Sequence, residues 1–248
     1  MSTDYHSRRF LGSDMFEAWE STESDQRKGV PKPAGQKPVP PDARLIDLPA
    51  PDTFTFNQVS VLQALRNRKS RREYRPAPLT LSELAFLCWA TQGVRKIEPD
   101  SGVIRRIPPS AGSRHPFETY LAVLNVEGLE RGLYRYLGIE HKLCLLRSEA
   151  DIAEKMARLC TGFARGSAVT FIWTAIPYRT EWRYCSVSPK FIAQDSGHVC
   201  QNLYLACEAI GCGTCAVSAY SQHAMDVYLG VDGESEFTVY SAPVGKAV

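Results

Sequence analysis

No stretch of the 248 residues approaches the run of apolar side chains needed to span a bilayer, and the start, Met1-Ser2-Thr3-Asp4-Tyr5-His6, has neither an apolar core nor a small-residue cleavage site. A cytoplasmic chain is expected. Charge of one sign is also missing: 29 basic residues against 27 acidic ones leave a formal net charge of +2 with no basic track, so nucleic acid is not expected as a partner. No Walker loop, G-x-G-x-x-G fingerprint or nucleophile elbow occurs, and there is no repeat or low-complexity tract. With 44% hydrophobic and 23% charged residues, what is left is an ordinary globular composition, enough for one main domain.

Proline is unevenly placed. Pro31, Pro33, Pro38, Pro40, Pro41, Pro49 and Pro51 fall within 30–51, which forbids regular helix and favours an extended arm lying on a surface. We therefore divide the chain into an N-terminal arm, 1–52, and a globular domain, 53–248. Upstream in the arm, Phe16 and Trp19 are apolar enough to dock a short helix on the body or on a partner, with disorder an equal alternative, so this segment stays open. Helix is expected over 56–68, with Val61, Leu62 and Leu65 on one face, and from the capping box Thr80-Leu81-Ser82-Glu83 to Gly93. Apolar spacing adds helices over 148–163, from Asp195 or Ser196 to Gly211, and from Ser221 to Gly230. Strands are expected over 117–126, 132–137, 143–147, 169–174, 215–220 and 236–241, the second and third forming a hairpin around Gly138. Helices and strands do not alternate one for one, so the fold class is α+β, helices on a mixed or antiparallel sheet.

Eight cysteines are expected as reduced, mostly buried thiols. Cys212-Gly213-Thr214-Cys215 follows a helix C-terminus, where the dipole opposes a thiolate, and lacks two further ligands, so no metal is expected. His198-x-Cys200 lacks the glutamate of a deaminase signature. Three other features carry more chemistry. Arg68-Lys69-Ser70-Arg71-Arg72-Glu73-Tyr74 crowds four cations and a hydroxyl ahead of Pro76, a pattern that suits phosphate oxygens or, more blandly, caps a helix end. Pro109, Ser110, Ala111, Gly112 and Ser113 make a small-residue loop, and Gly211, Cys212 and Gly213 a bend that lets backbone approach a flat surface. His115 and His198 are loose candidates for proton transfer, and Arg183-Tyr184 reads as a phenol beside a cation or as strand-edge packing.

Taken together and in this order, these elements resemble the FMN-dependent nitroreductase superfamily, and within it the SagB-type dehydrogenases that oxidise thiazoline and oxazoline rings. The resemblance rests on the basic motif, on Pro109-Ser110-Ala111-Gly112-Ser113-Arg114-His115-Pro116, on Gly197-His198-Val199-Cys200-Gln201-Asn202-Leu203 with Gly211-Cys212-Gly213-Thr214, and on Pro243-Val244-Gly245-Lys246. It implies that Arg68, Ser70 and Arg72 hold the FMN phosphate with Lys246 near by, that Pro109, Ser110, Ala111, Gly112 and Ser113 line the flavin ring, that Gly211, Cys212 and Gly213 place backbone against it, and that two copies of the chain build each site as a homodimer. It further implies an FMN oxidase acting on an azoline-like peptide- or carrier-bound intermediate in natural-product biosynthesis, with Tyr184 and Arg183 at the catalytic pair. Arg183 stands where the subfamily carries lysine, and Val187 where it carries arginine. The alternatives are a nicotinamide-dependent reductase of nitro compounds, quinones or enones, and a partner subunit that does not use FMN.

Overall fold

The structure, a computed structural model, describes residues 10–13, 15–56 and 59–248. Its elements in chain order are α1 (Met15–Ser21), β1 (Arg44–Asp47), α2 (Val61–Asn67), β2 (Tyr74–Arg75), α3 (Leu81–Gln92), β3 (Val94–Ile97), β4 (Ile104–Arg106), β5 (Phe117–Val123), β6 (Gly132–Leu137), β7 (Lys142–Ser148), α4 (Ile152–Leu159), β8 (Val169–Ala175), α5 (Tyr178–Tyr184), α6 (Ser188–Ala209), β9 (Cys212–Thr214), α7 (Gln222–Leu229) and β10 (Phe237–Ala247). One sheet runs β1-β7-β6-β5-β8-β10-β2, with β9 also paired to β10, and every one of these pairings is antiparallel. Strands β3 and β4 form a separate hairpin. The expected α+β class, with an antiparallel sheet, is what the chain adopts.

Both faces of the sheet are covered. Along β5, Phe117, Leu121 and Val123 enter the core shared with α3 and α6, while Tyr120 and Ala122, on the opposite side of the pleat, enter a second core with Ile152 and Met156 of α4 and Met225 and Leu229 of α7. That is why β5 and β8 are buried at every position. The expected start and stop of α3 hold: Thr80 and Glu83 close a reciprocal capping box and Gly93 is the C-cap. The 132–147 hairpin and the α7 stop at left-handed Gly230 also form as expected.

Other boundaries move, each for a local reason. The helix expected over 56–68 is α2, opened by a Ser60–Gln63 capping box; residues 57 and 58 lie outside the described residues, as does the start at 1–6. Helix α4 is shorter than 148–163 because Thr161 and Gly162 turn at positive φ. Helix α6 begins at Ser188 rather than at 195 or 196, Pro189 in its first turn supplying the start, and the polar run Gln194-Asp195-Ser196-Gly197-His198 interrupts the apolar spacing without interrupting the helix. Of 215–220 only a single bridge, Val217 to Ser241, joins the sheet, and the strand proper is β9. β10 runs past Ser241 through Pro243, whose carbonyl accepts from Tyr74 Oη at 3.1 Å and from Thr214 Oγ1 at 2.9 Å.

The proline-rich arm lies extended and contributes β1, which pairs with β7. Prolines donate no hydrogen bond, so the arm is held through its carbonyls. Arg179 Nε donates to Ala34 O (2.8 Å), Arg106 to Gly35 O (3.0 Å) and Arg135 to Pro38 O (2.7 Å). Arg179 also pairs with Glu118 at 2.5 Å, both side chains almost fully buried, and Glu118 accepts from Lys37 N at 2.8 Å. Replacing Glu118 with leucine strands a buried guanidinium and is expected to cost roughly 3–5 kcal/mol. Urea unfolding of Glu118→Leu reads this directly, with partial recovery in the double variant Glu118→Leu/Arg179→Leu.

Candidate active site

The basic motif leaves α2 at Arg68 and runs alongside the glycine bend. Ser70 bridges to Thr214, and Arg71 N donates to Thr214 O at 3.0 Å. Lys246 on β10 is registered with Cys212 on β9. Arg68, Ser70, the bend at Gly211, Cys212 and Gly213, and Lys246 are thereby brought into one patch. Ser70 Oγ lies 2.9 Å from Tyr204 Oη of α6, and the Arg68 guanidinium sits 5.2 Å from the Tyr204 ring centre. Arg72 stacks 5.8 Å from the Phe163 ring. Arg71, which the sequence did not single out, forms an ion pair with Glu208 of α6, and Lys246 pairs with Glu83 of α3.

The bend works differently at each residue. Gly211 adopts φ +68° with open space around it. A Cβ on Gly213 would lie 2.5 Å from Cδ of Arg71, so this glycine makes room for the arginine stem that crosses it. Cys212 points into the core, where burial pushes its thiol up to about 12, and only its backbone is available to a ligand. Cys215 is buried as well, all eight cysteines are free, and among the described residues no group of His, Cys, Asp or Glu is placed to hold a metal ion.

The loop from Pro109 to Ser113 is built on a buried carboxylate that sequence reasoning missed. Asp195 of α6 accepts from Ser110 Oγ at 2.6 Å and from Ala111 N at 3.2 Å, and Ser110 Oγ accepts in turn from His115 N at 2.9 Å. Burial holds the Asp195 carboxyl above its usual range against these donors. His198, the other loose candidate, is half-exposed and 3.8 Å from Asp195. Gly112, Ser113 and His115 all take positive φ, +55°, +53° and +48°. A Cβ on Gly112 would lie 2.6 Å from Tyr184 Oη, so the loop backbone and the phenol are in direct contact.

Tyr184 ends α5; Arg183-Tyr184 is helical and not the strand edge it resembles in isolation. The next residue, Cys185, is a further non-glycine at positive φ (+48°). Of the five such residues among those described, Ser113, His115 and Cys185 lie at this one corner, a concentration of backbone strain of the kind found at functional sites. The Arg183 guanidinium is 5.3 Å from the Tyr184 ring and that of Arg114 is 5.0 Å from the neighbouring Trp182 ring. Helix α1 covers the corner: Trp19 lies 5.4 Å from the Tyr184 ring and donates through Nε1 to Arg183 O at 2.8 Å, while Phe191 packs 4.7 Å from Tyr184. Of the alternatives open for Phe16 and Trp19, the segment takes that of a short helix docked on the body.

Within one chain these are two separate half-sites strung along α6. The loop docks at Asp195 and the basic patch at Tyr204 and Glu208, nine residues and about 14 Å of helix rise further on. The donor set of the patch fits a phosphate: among the described residues Arg68 and Arg72 have aromatic rings but no carboxylate as partners, the Ser70 hydroxyl lies between them in sequence, and the Gly211 backbone faces open space.

Comparison with known proteins gives the family and the fold. The nitroreductase family model matches residues 65–246. A protein of Methanocaldococcus jannaschii named as a nitroreductase is 30% identical over 194 residues, 78% of this chain and 94% of its own. A nitroreductase structure from Ralstonia eutropha aligns at 27% identity with a TM-score of 0.68, covering 85% of this chain and 92% of that one. The Escherichia coli microcin synthetase McbBCD complex, solved with truncated pro-MccB17 bound, shares the fold at 16% identity, with a TM-score of 0.60 over 98% of this chain and 94% of the other.

The loop gives a pH prediction. Burial, then the charges of Arg106, Arg114 and Arg105, press the His115 imidazole down to about 3, whereas in the unfolded chain it takes up a proton near ~6.5. Between those values the unfolded state binds the extra proton, so His115 contributes stability above ~6.5 that is lost as pH falls, at up to roughly 1.4 kcal/mol per pH unit. In His115→Asn, which tolerates the left-handed backbone, melting temperature should fall less steeply than in the native chain between pH 6.5 and 4. Equal slopes would contradict the assignment.

Proposed function

The chain belongs to the nitroreductase family of oxidoreductases, and we propose that it is an FMN-dependent oxidase acting on an azoline-like ring of a peptide- or carrier-bound intermediate in natural-product biosynthesis. The contact of the Tyr184 phenol with the Gly112 backbone carries this reading, since it sets a proton-transfer group against the loop assigned to the flavin ring. The residue roles are proposals: Arg68, Ser70 and Arg72 for the phosphate, with Lys246 as an added cation; Pro109, Ser110, Ala111, Gly112 and Ser113 for the ring; the backbone at Gly211, Cys212 and Gly213 beside it; Tyr184 and Arg183 for catalysis.

Bound FMN supplies the two-electron acceptor, with dioxygen taking the electrons onward. Tyr184, in its phenolate form, would take the proton from the acidic carbon of the substrate ring. Arg183 cannot serve as that base, because a guanidinium does not give up its proton at working pH, and instead stabilises the negative charge that proton removal creates. Trp19 and Phe191 fix the plane of the phenol and exclude water from it.

The homodimer is part of the proposal. Val61, Leu62 and Leu65 of α2 are 72%, 56% and 55% exposed in the single chain, leaving the apolar face of this helix uncovered. A second copy covers it and brings the Ser70 patch of one chain to the Gly112 loop of the other, which accounts for two half-sites at separate points of α6. A peptide-linked substrate is favoured by the likeness to the microcin synthetase fold, which extends through the arm and was solved with a peptide bound. No helix among the described residues is long and apolar enough to cross a membrane, in keeping with the cytoplasmic location we propose.

The nitroreductase names of the relatives favour the second reading, reduction of nitro compounds, quinones or enones by a nicotinamide. Anaerobic mixing with NADPH separates the two, since rapid bleaching of the flavin absorbance supports the reductase and counts against the oxidase. Three variants test the parts. Tyr184→Phe should lower turnover by roughly 10²–10⁴-fold with FMN content unchanged, Arg72→Ala should weaken FMN binding about tenfold or more, and Leu62→Lys should shift the mass in solution towards the monomer.

A further inference from the structure

A cavity of about 880 Å³ opens between α5, the first half of α6 and the start of β10, a size within the roughly 300–1,000 Å³ of small-molecule sites. Ile192, Tyr220, Phe237 and Val239 give it apolar walls. The only charged side chains among its described lining residues are two carboxylates, Glu181 and Glu234, and neither has an ion-pair or hydrogen-bond partner among the described residues. Other carboxylates packed against the body are matched: Glu83 with Lys246, Glu118 with Arg179, Glu208 with Arg71 and Glu236 with Lys37. Glu181 is half-buried and unmatched, and burial lifts its carboxyl above the usual range. A carboxylate set in an apolar wall without a cation is costly to leave so, and it repels acidic ligands while drawing basic ones.

The cavity adjoins the corner of the proposed reaction. Glu181 stands one turn before Tyr184 on α5, roughly 4.5 Å of helix rise. On α6, Ala193 and Ser196 line the cavity on either side of Asp195, the anchor of the Gly112 loop. We infer that the cavity binds a basic, apolar stretch of the substrate's peptide, its aliphatic and aromatic side chains filling the space and a lysine or arginine pairing with Glu181. The sign of the charge follows from the lining, and the adjoining position puts this stretch close in sequence to the ring that reacts. The inference rests on the proposed function in taking the bound peptide to be the substrate; the cavity itself is built by one chain and holds its charge with or without the flavin.

The peptides acetyl-Phe-Arg-Phe-amide, acetyl-Phe-Gln-Phe-amide and acetyl-Phe-Glu-Phe-amide, matched in length and apolar content and differing in charge, test it by calorimetric titration of the full chain, both FMN-loaded and FMN-free. The arginine peptide should bind at least about tenfold more tightly than the glutamine peptide in both forms, and the glutamate peptide most weakly. Glu181→Gln should remove most of that preference. Ala193→Trp, which fills the cavity, should weaken the arginine peptide by about tenfold or more and leave the mass in solution unchanged. Equal binding of the three peptides, no binding of any, or an undiminished preference in Glu181→Gln overturns the inference. Tighter binding of hexylamine than of the arginine peptide also overturns it, since the site then takes a small amine, and so does loss of a dimer in Ala193→Trp, since a second copy then fills the cavity. If Glu181→Gln does not fold, the peptide comparison on the native chain and on Ala193→Trp decides alone. A chain that takes up no FMN yet keeps the arginine preference sinks the proposed function and leaves this site standing, whereas FMN uptake with no preference does the reverse.

Discussion

Everything in the candidate site is held at a fixed distance by one rigid element, the 22-residue helix α6. Its Asp195 anchors the loop that carries Gly112, and its Tyr204 and Glu208 anchor the basic motif that carries Ser70. Neither segment is regular structure over its working residues, so neither sets its own position. Backbone conformations of the sort seen at Ser113 and His115 persist only where the surroundings over-determine them, and a buried carboxylate accepting two donors does that. The same helix packs against α3 in the core, so the spacing of the half-sites is tied to the stability of the whole.

Local rules carried the elements whose signals lie within a few residues of each other. The Thr80–Glu83 capping box, the Gly93 and Gly230 stops and the Gly138 hairpin are of this kind, because cap and turn chemistry is decided by neighbours in sequence. The basic motif and the glycine bend were visible as clusters of unusual composition. Their meeting was not, since it depends on β10 passing beside β9 and on the Ser70–Thr214 bridge, a pairing 144 positions apart.

What escaped the sequence was polar and distant. Asp195 sits in a run that reads as the exposed start of a helix, and only the fold reveals that it is buried against a loop 85 positions earlier. Arg114 lay inside a recognised motif but as a bystander, its burial against the Trp182 ring being a property of the surroundings. Strand β1 was hidden by the prolines on either side of it, and Arg183-Tyr184 by aromatic content that favours strand as readily as helix. In each case the deciding partner was a side chain or backbone group far away in the chain.

The arm has a protective consequence. The outermost strands of the sheet are β1 and β2, four and two residues long. By laying Arg44–Asp47 along β7, and stapling the approach to it through buried guanidinium groups, the chain covers the free side of β7 with its own backbone. An open border of that kind would be a template on which other extended chains add. An enzyme whose proposed substrates arrive as peptides thus leaves little ladder for them to join, and such cargo has to be recognised through side chains and pockets.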